Sequence, residues 1–210
     1  MKRIGGLFAE VTSPRNLWRA WRDFRRGKRS RPSVLAFEPE ADRHVLALHR
    51  SLDAGTYRPG PYRLSWIKEP KRRLIAAAPV RDRVVHHAVH RVVAPRLDRS
   101  FVESTFACLP DRGSHRAVLC FQRGLRRHRY VLMLDVRRYF LSIDHQRLLA
   151  ILARKLKDRR LLDLFGGVSA SFAGPPRDRR PSSRNFARMR LSALCSRGWS
   201  ARDPSRARPK

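Results

Sequence analysis

Residues 130–136, YVLMLDV, limit the fold more than any other stretch of the chain. The run is almost wholly apolar and too short for a typical helix. It suits a strand buried on both faces, as in the middle of a layered sheet. Such a strand needs partners on each side, and helical patterns on either side of it supply candidates. The expected class is therefore α+β. The run also ends in a carboxylate, Asp135. An aspartate at the end of a buried strand can hold a divalent ion in a fixed place.

The charge balance narrows what such a chain can bind. Lys and Arg number 48 against 17 Asp and Glu, a formal net charge of +31 over 210 residues. Self-repulsion at this level opposes compaction, so an anionic partner is expected to offset it. Nucleic acid, an anionic membrane surface and an acidic protein would all serve. Most of the basic residues are Arg, whose planar guanidinium pairs with phosphate in a bidentate manner and stacks on bases, which favours nucleic acid. The plainer alternative is a solvated surface encoded by a GC-rich genome. Cys108, Cys120 and Cys195 are odd in number and lack CxxC spacing, so neither a zinc site nor a disulfide framework is indicated and a cytoplasmic setting is expected. No apolar run has membrane-spanning length, no signal peptide is recognisable, and no repeat recurs at solenoid spacing.

Ser13-Pro14 forms an N-cap followed by proline at the first helical position, and Leu17, Trp18, Trp21 and Phe24 follow at helical spacing. A basic loop, GKRSRP, ends that helix. Val45, Leu48, His49 and Leu52 share one face of a second helix that Gly55 stops, with His49 expected at the edge of the core. Tyr62, Leu64 and Trp66 alternate with polar residues, predicting the first of two short strands joined by an EPKR turn. Val84, Val85, Ala88, Val89, Val92 and Val93 predict a helix from Val80 that Pro95 ends. Further helices are expected around Ala117, Val118, Phe121 and Leu125, and over HQRLLAILARKL and DRRLLDLFGGVSASF, with Asp144 as a cap. Beyond Ala173 the periodicity stops. Residues 174–210 contain ten Arg, six Ser and five Pro, a composition of disorder and also of GC-rich DNA translated out of frame.

Two segments carry candidate chemistry. In the first, Asp135 and the backbone carbonyl of Val136 are candidate Mg²⁺ ligands, and Phe140 could floor a sugar pocket. Equally, Asp135 could cap a strand or helix end and Tyr139-Phe140 could be core. In the second, Lys68, Arg72 and Arg73 on the expected hairpin could reach a triphosphate, and Arg81 and Arg83 could track a template backbone. Asp82 between them is expected to order an arginine rather than bind metal. Each basic residue alone is as well explained as solvated surface.

Five ordered blocks, LWRAWRDFRRGKRSRP, LDAGTYRPGPY, KEPKRRLIAAAPVRDRVVHHAV, FVESTFACLPDRGSHRAV and LDVRRYFLSIDH, resemble the reverse transcriptases of bacterial retroelements. The resemblance is closest to the diversity-generating branch, with group II intron and retron enzymes as neighbours, and covers roughly residues 1–173. It implies a right-hand polymerase: an N-terminal helical region over residues 1–60, fingers and partial palm over 61–173, and a tail over 174–210. It further implies that Asp135 and the Val136 carbonyl bind catalytic Mg²⁺, that Phe140 screens the incoming sugar, and that Lys68 and Arg73, with Arg72 as alternative, contact the triphosphate. The implied reaction is templated addition of deoxynucleotides to a DNA primer on an RNA template, with a retroelement accessory protein as a further partner.

The family pattern also requires a glycine-containing template loop and a hairpin with paired aspartates. After Asp144 the acidic residues are Asp158, Asp163, Asp178 and Asp203, none adjacent to another. Solvated positions are expected for Asp158 and Asp163, and pairing with tail arginines for the other two. The expectation is a broken or truncated enzyme, inactive alone, with an apolar strand edge left open. A non-catalytic nucleic-acid-binding protein and one part of a split enzyme are the alternatives.

Overall fold

The computed structural model describes residues 3–68, 73–136, 139–171 and 192–195. The turn expected at residues 69–72, Arg72 included, lies outside the described residues, as does most of the segment 174–210. The elements in chain order are α1 (Leu7–Thr12), α2 (Pro14–Arg25), α3 (Pro32–Leu35), α4 (Ala41–Asp53), β1 (Arg63–Ile67), β2 (Arg73–Ala77), α5 (Val80–Asp98), α6 (Ser114–Arg127), β3 (Tyr130–Met133), α7 (Tyr139–Ser142), α8 (His145–Lys155), α9 (Arg159–Ser171) and β4 (Ser192–Cys195). The mixture of helix and strand agrees with the α+β expectation. The contacts divide the chain into two units, residues 1–100 with 143–180, and residues 101–142 with 181–210.

The first unit is organised by α5. Its first half contributes Val84, Val85 and Ala88 to a core shared with Leu17, Trp21 and Phe24 of α2 and Val45, Leu48 and Leu52 of α4. Its second half contributes Val92 and Val93 to another cluster with Leu7, Val11, Leu156 and Leu161. Each such aliphatic or aromatic side chain contributes about 1.5–3 kcal/mol when removed from water. This offsets the modest helix propensity of the valines. Trp21 lies at the centre, fully buried, with its ring 4.6 Å from that of Phe37.

Local signals set the ends of these helices. Ser13 Oγ accepts from the Asn16 amide at 3.3 Å, and Pro14 occupies the first position of α2. Gly55, at φ 70°, closes α4 in the left-handed region. His49 is half-buried with Nδ1 2.9 Å from the Thr12 carbonyl, the expected core-edge position.

Three expectations are corrected. α5 runs through Pro95 to Asp98 instead of ending there. The Arg96 guanidinium donates to the Val92 carbonyl and Leu97 packs on the second cluster, which holds the final turn. Asp158 is not a solvated surface carboxylate: it is half-buried and accepts from the amides of Gly6 at 3.2 Å, Leu7, and Phe8 at 3.1 Å. It thus caps the N-terminus of α1 from the far end of the chain, where a negative charge meets the helix dipole. The adjoining backbone is stitched in the same place, Ile4 N–H donating to Lys155 O at 2.8 Å and Lys157 N–H to Ile4 O at 2.7 Å.

The third correction concerns the second unit. β3 is not a central buried strand. Tyr130, Leu132 and Met133 are 65%, 56% and 61% exposed. Its partner is β4, antiparallel, with Tyr130 opposite Cys195 and Met133 opposite Ser192. Four residues of the stretch expected to lack regular structure therefore form a strand. α6 has the predicted apolar stripe, yet Val118 and Phe121 remain half exposed or more and no residue of the helix is buried.

Candidate nucleic-acid interface

The best-built polar site is the start of α5. Pro79 precedes the helix, and Asp82 in its first turn is 1% exposed. A carboxylate so buried requires partners. Asp82 Oδ1 accepts from the Tyr57 hydroxyl at 2.8 Å and from Arg81 Nε at 3.3 Å, and Oδ2 accepts from the Gly60 amide at 2.7 Å. Gly60 is closely approached: a Cβ there would lie 3.1 Å from Pro79 Cγ, so that Pro79 would have to give by a few tenths of an ångström, and 3.4 Å from Asp82 Oδ2. Burial pushes the Tyr57 phenol far above its ordinary range, and the hydrogen bond to Asp82 and its charge push the same way. Tyr57 is therefore a fixed donor. Asp82 ties the TYRPG loop to α5 and orders an arginine, the role expected of it.

Arg81 is exposed, its Nη2 donating to Arg58 O at 2.6 Å and its guanidinium 5.5 Å from the Tyr57 ring centroid. Arg83 is half-buried, its Nε donating to Ala78 O at 2.7 Å and its guanidinium 5.7 Å from the Phe24 ring. Both arginines are thus positioned, and Arg83 also serves the packing. Lys68 is exposed directly after β1, and Arg73 opens β2 opposite Ile67. The hairpin carrying them has no covered face on β1: Leu64 and Trp66 are 48% and 57% exposed.

His86 and His87 diverge. His87 meets the Phe24 ring edge-on at 5.7 Å. His86 lines an apolar hollow of about 340 Å³ with Val89, Val93, Leu152, Leu164 and Phe165. Its buried Nε2 has no hydrogen-bond partner among the described residues. Burial holds the His86 imidazole below its usual value, the charge of Asp82 opposing this and that of Arg83 adding to it.

Asp135 is exposed and Val136 half-buried, both in irregular chain after β3, and Phe140 falls within the short helix α7. These three lie in the second unit, whereas Lys68, Arg73, Arg81 and Arg83 lie in the first. Neither unit alone contains both expected sets. Among the described residues no cluster of three or more His, Cys, Asp or Glu side chains could hold a metal. One carboxylate and one carbonyl do not fit a two-metal site, which requires several hard oxygen ligands.

Sequence reasoning missed two features, the Asp158 cap and a recess of arginines at the end of α2. The first had no local signal. The second was visible as a basic loop but not as a concave surface.

No protein-family model matches the chain. Distant similarity to a group II intron-encoded protein is found. The chain is 24% identical over 128 residues to group II intron-encoded protein LtrA of Lactococcus lactis subsp. cremoris, covering 60% of this chain and 21% of LtrA. It is 27% identical over 125 residues to protein YkfC of Escherichia coli K12, covering 56% of this chain and 33% of YkfC. The matches thus span a third or less of each relative's length. Among the described residues no helix is long and apolar enough to cross a membrane.

Proposed function

We propose that this chain is the fingers and leading palm portion of a retroelement reverse transcriptase, and that it binds an RNA template with its DNA primer. The observation that carries the reading is the similarity to a group II intron-encoded protein, over a chain with the ordered anchor Tyr57–Asp82–Arg81 at the start of α5. In this reading Arg81 and Arg83 follow the template backbone. Lys68 and Arg73, with Arg72, meet the triphosphate, and Phe140 borders the sugar. Asp135 with the Val136 carbonyl is one corner of a Mg²⁺ site whose other carboxylates are not among these residues. The diversity-generating branch, with its accessory protein, is the favoured subtype.

A split enzyme is the second reading, favoured by the exposed apolar side chains of β3 and α6, which a complementary chain would cover. The test is primer extension on an RNA template with Mg²⁺, alongside binding of the same primer–template. Salt-sensitive binding without extension is expected from this chain alone, and extension from a longer version supplying paired carboxylates, lost on Asp135→Ala. Extension by this chain alone that depends on Asp135 would overturn the account of the metal site. Failure to bind primer–template at low salt would overturn the function.

A further inference from the structure

α2 ends in a surface that none of the roles above uses. Arg22, Arg25, Arg26 and Arg29, with Gly27, line a recess of about 360 Å³. The backbone explains why they converge. Gly27 has φ 68°, the left-handed conformation that turns a chain sharply at a helix end. The Lys28 amide then donates to Arg25 O at 2.9 Å and the Arg31 amide to Lys28 O at 3.0 Å, so Arg29 folds back beside the last turn of α2.

The acidic groups nearby do not neutralise the recess. Glu38 pairs with Arg25. Asp23 is divided between Arg91 and Arg26, the latter at 3.6 Å with Arg26 84% exposed. Arg22 and Arg29 are exposed and have no partner among the described residues. The negative end of the helix dipole favours cations at this helix end, and the guanidinium donors of Arg22 and Arg29 have no partner there among the described residues. Phe24, in the same last turns of α2, has two further cations at its ring, the Lys28 ammonium at 4.8 Å and the Arg83 guanidinium at 5.7 Å.

We infer that this arginine recess is a second nucleic-acid contact, which holds the phosphodiester backbone of a single strand and uses none of the hairpin residues. The inference rests on the nucleic-acid reading above. Guanidinium groups suit phosphate oxygens through bidentate hydrogen bonds, and a row of them suits successive phosphates. A membrane surface is the weaker fit, because Leu17, Trp21 and Phe24 of α2 are buried in the core and Trp18 packs partly against it, so the helix has no apolar face turned outward to enter a bilayer.

The test uses the full chain and a fluorescein-labelled unstructured RNA, with affinity measured by anisotropy across a salt series. For single strands each phosphate contact contributes about 0.7 to the slope of log affinity against log salt. Arg22→Gln with Arg29→Gln should therefore lower the slope by about 1.4. Arg22→Lys with Arg29→Lys should largely keep it. The charge-matched control, Arg50→Gln with Arg159→Gln on other exposed positions, should change it far less. Equal loss in the recess pair and the control, or an unchanged slope with RNA still bound, overturns the recess and leaves the nucleic-acid reading standing. No RNA binding by the unaltered chain at low salt overturns both. Binding of phosphatidylserine vesicles that fails in the recess pair, while RNA binding does not, assigns the surface to lipid and also overturns the inference.

Discussion

α2 and α6 are similar as sequences and unlike as structures. Both are amphipathic, arginine-rich helices with an apolar stripe at regular spacing. In α2 the stripe is largely used: Leu17, Trp21 and Phe24 are at most 2% exposed and Trp18 packs partly against the same core. In α6 the stripe meets nothing of comparable extent: Val118 and Phe121 are 52% and 50% exposed, and Ala117 and Leu125 are only half-buried. Periodicity therefore reports that a helix has a face to bury, not that the chain provides a surface to bury it against. The first unit supplies one through α4 and α5, and within the second unit none of residues 101–136 is buried. Asp135, the residue with the strongest catalytic resemblance, belongs to the less consolidated unit, and the well-ordered polar network at Asp82 belongs to the other.

The largest effect should separate these helices. Trp21→Ala should cost about 3–5 kcal/mol, measured by denaturant unfolding, because it leaves a cavity among Phe24, Phe37 and Val45. Phe121→Ala should change the same unfolding by about 0.5 kcal/mol or less, as for other exposed positions. Comparable losses would mean that α6 is covered in solution, and the contrast would collapse.

Asp82→Ala comes next. It removes the acceptor for the Tyr57 hydroxyl and the Gly60 amide and should cost about 1–3 kcal/mol, with Tyr57 left buried and unpaired. Tyr57→Phe alone should cost less, about 0.5–1.5 kcal/mol, since Asp82 keeps its other donors. If Tyr57→Phe costs as much as Asp82→Ala, the phenol rather than the carboxylate holds the loop.

A third effect is set by pH. Burial holds His86 below its ordinary value of 6.5, and burial with the charge of Lys28 does the same for His87. The unfolded chain then takes up protons that the folded chain refuses. Stability is full above 6.5, the unfolded-state value, and is lost as the pH falls through the lower folded-state values. His86→Phe, which suits the apolar hollow, should flatten the acid side of a plot of unfolding free energy against pH. An unchanged acid limb would sink the assignment to His86.

What was legible in the sequence followed from local chemistry. The Ser13-Pro14 start, the Gly55 stop, the Asp144 cap and the valine pattern of α5 all depend on residues within a turn or two, and each appears where it was read. What was missed depends on distant partners. Asp158 reaches residues 6–8 across most of the chain, and no spacing announces that. Pro95 reads as a stop because proline lacks an amide, but Leu97 has a cluster to join two residues later. For the candidate site, the basic residues were legible as types and their arrangement was not. That Arg83 rests against Phe24 follows from how α2 crosses α5.

β3 makes the smallest expected change in stability and the sharpest test of the comparison. The unbroken apolar run predicts a strand buried on both faces, whereas Tyr130, Leu132 and Met133 are exposed beside a single short partner. If that exposure holds in solution, Leu132→Thr should shift unfolding by no more than about 0.5 kcal/mol. The same change should lower self-association, followed by sedimentation velocity, because an exposed apolar strand edge recruits other chains. A loss of several kcal/mol would instead show that Leu132 is buried against a second copy or a complementary chain. The original reading of the strand would then be right for the assembled protein, and the split-enzyme reading would gain its first direct support.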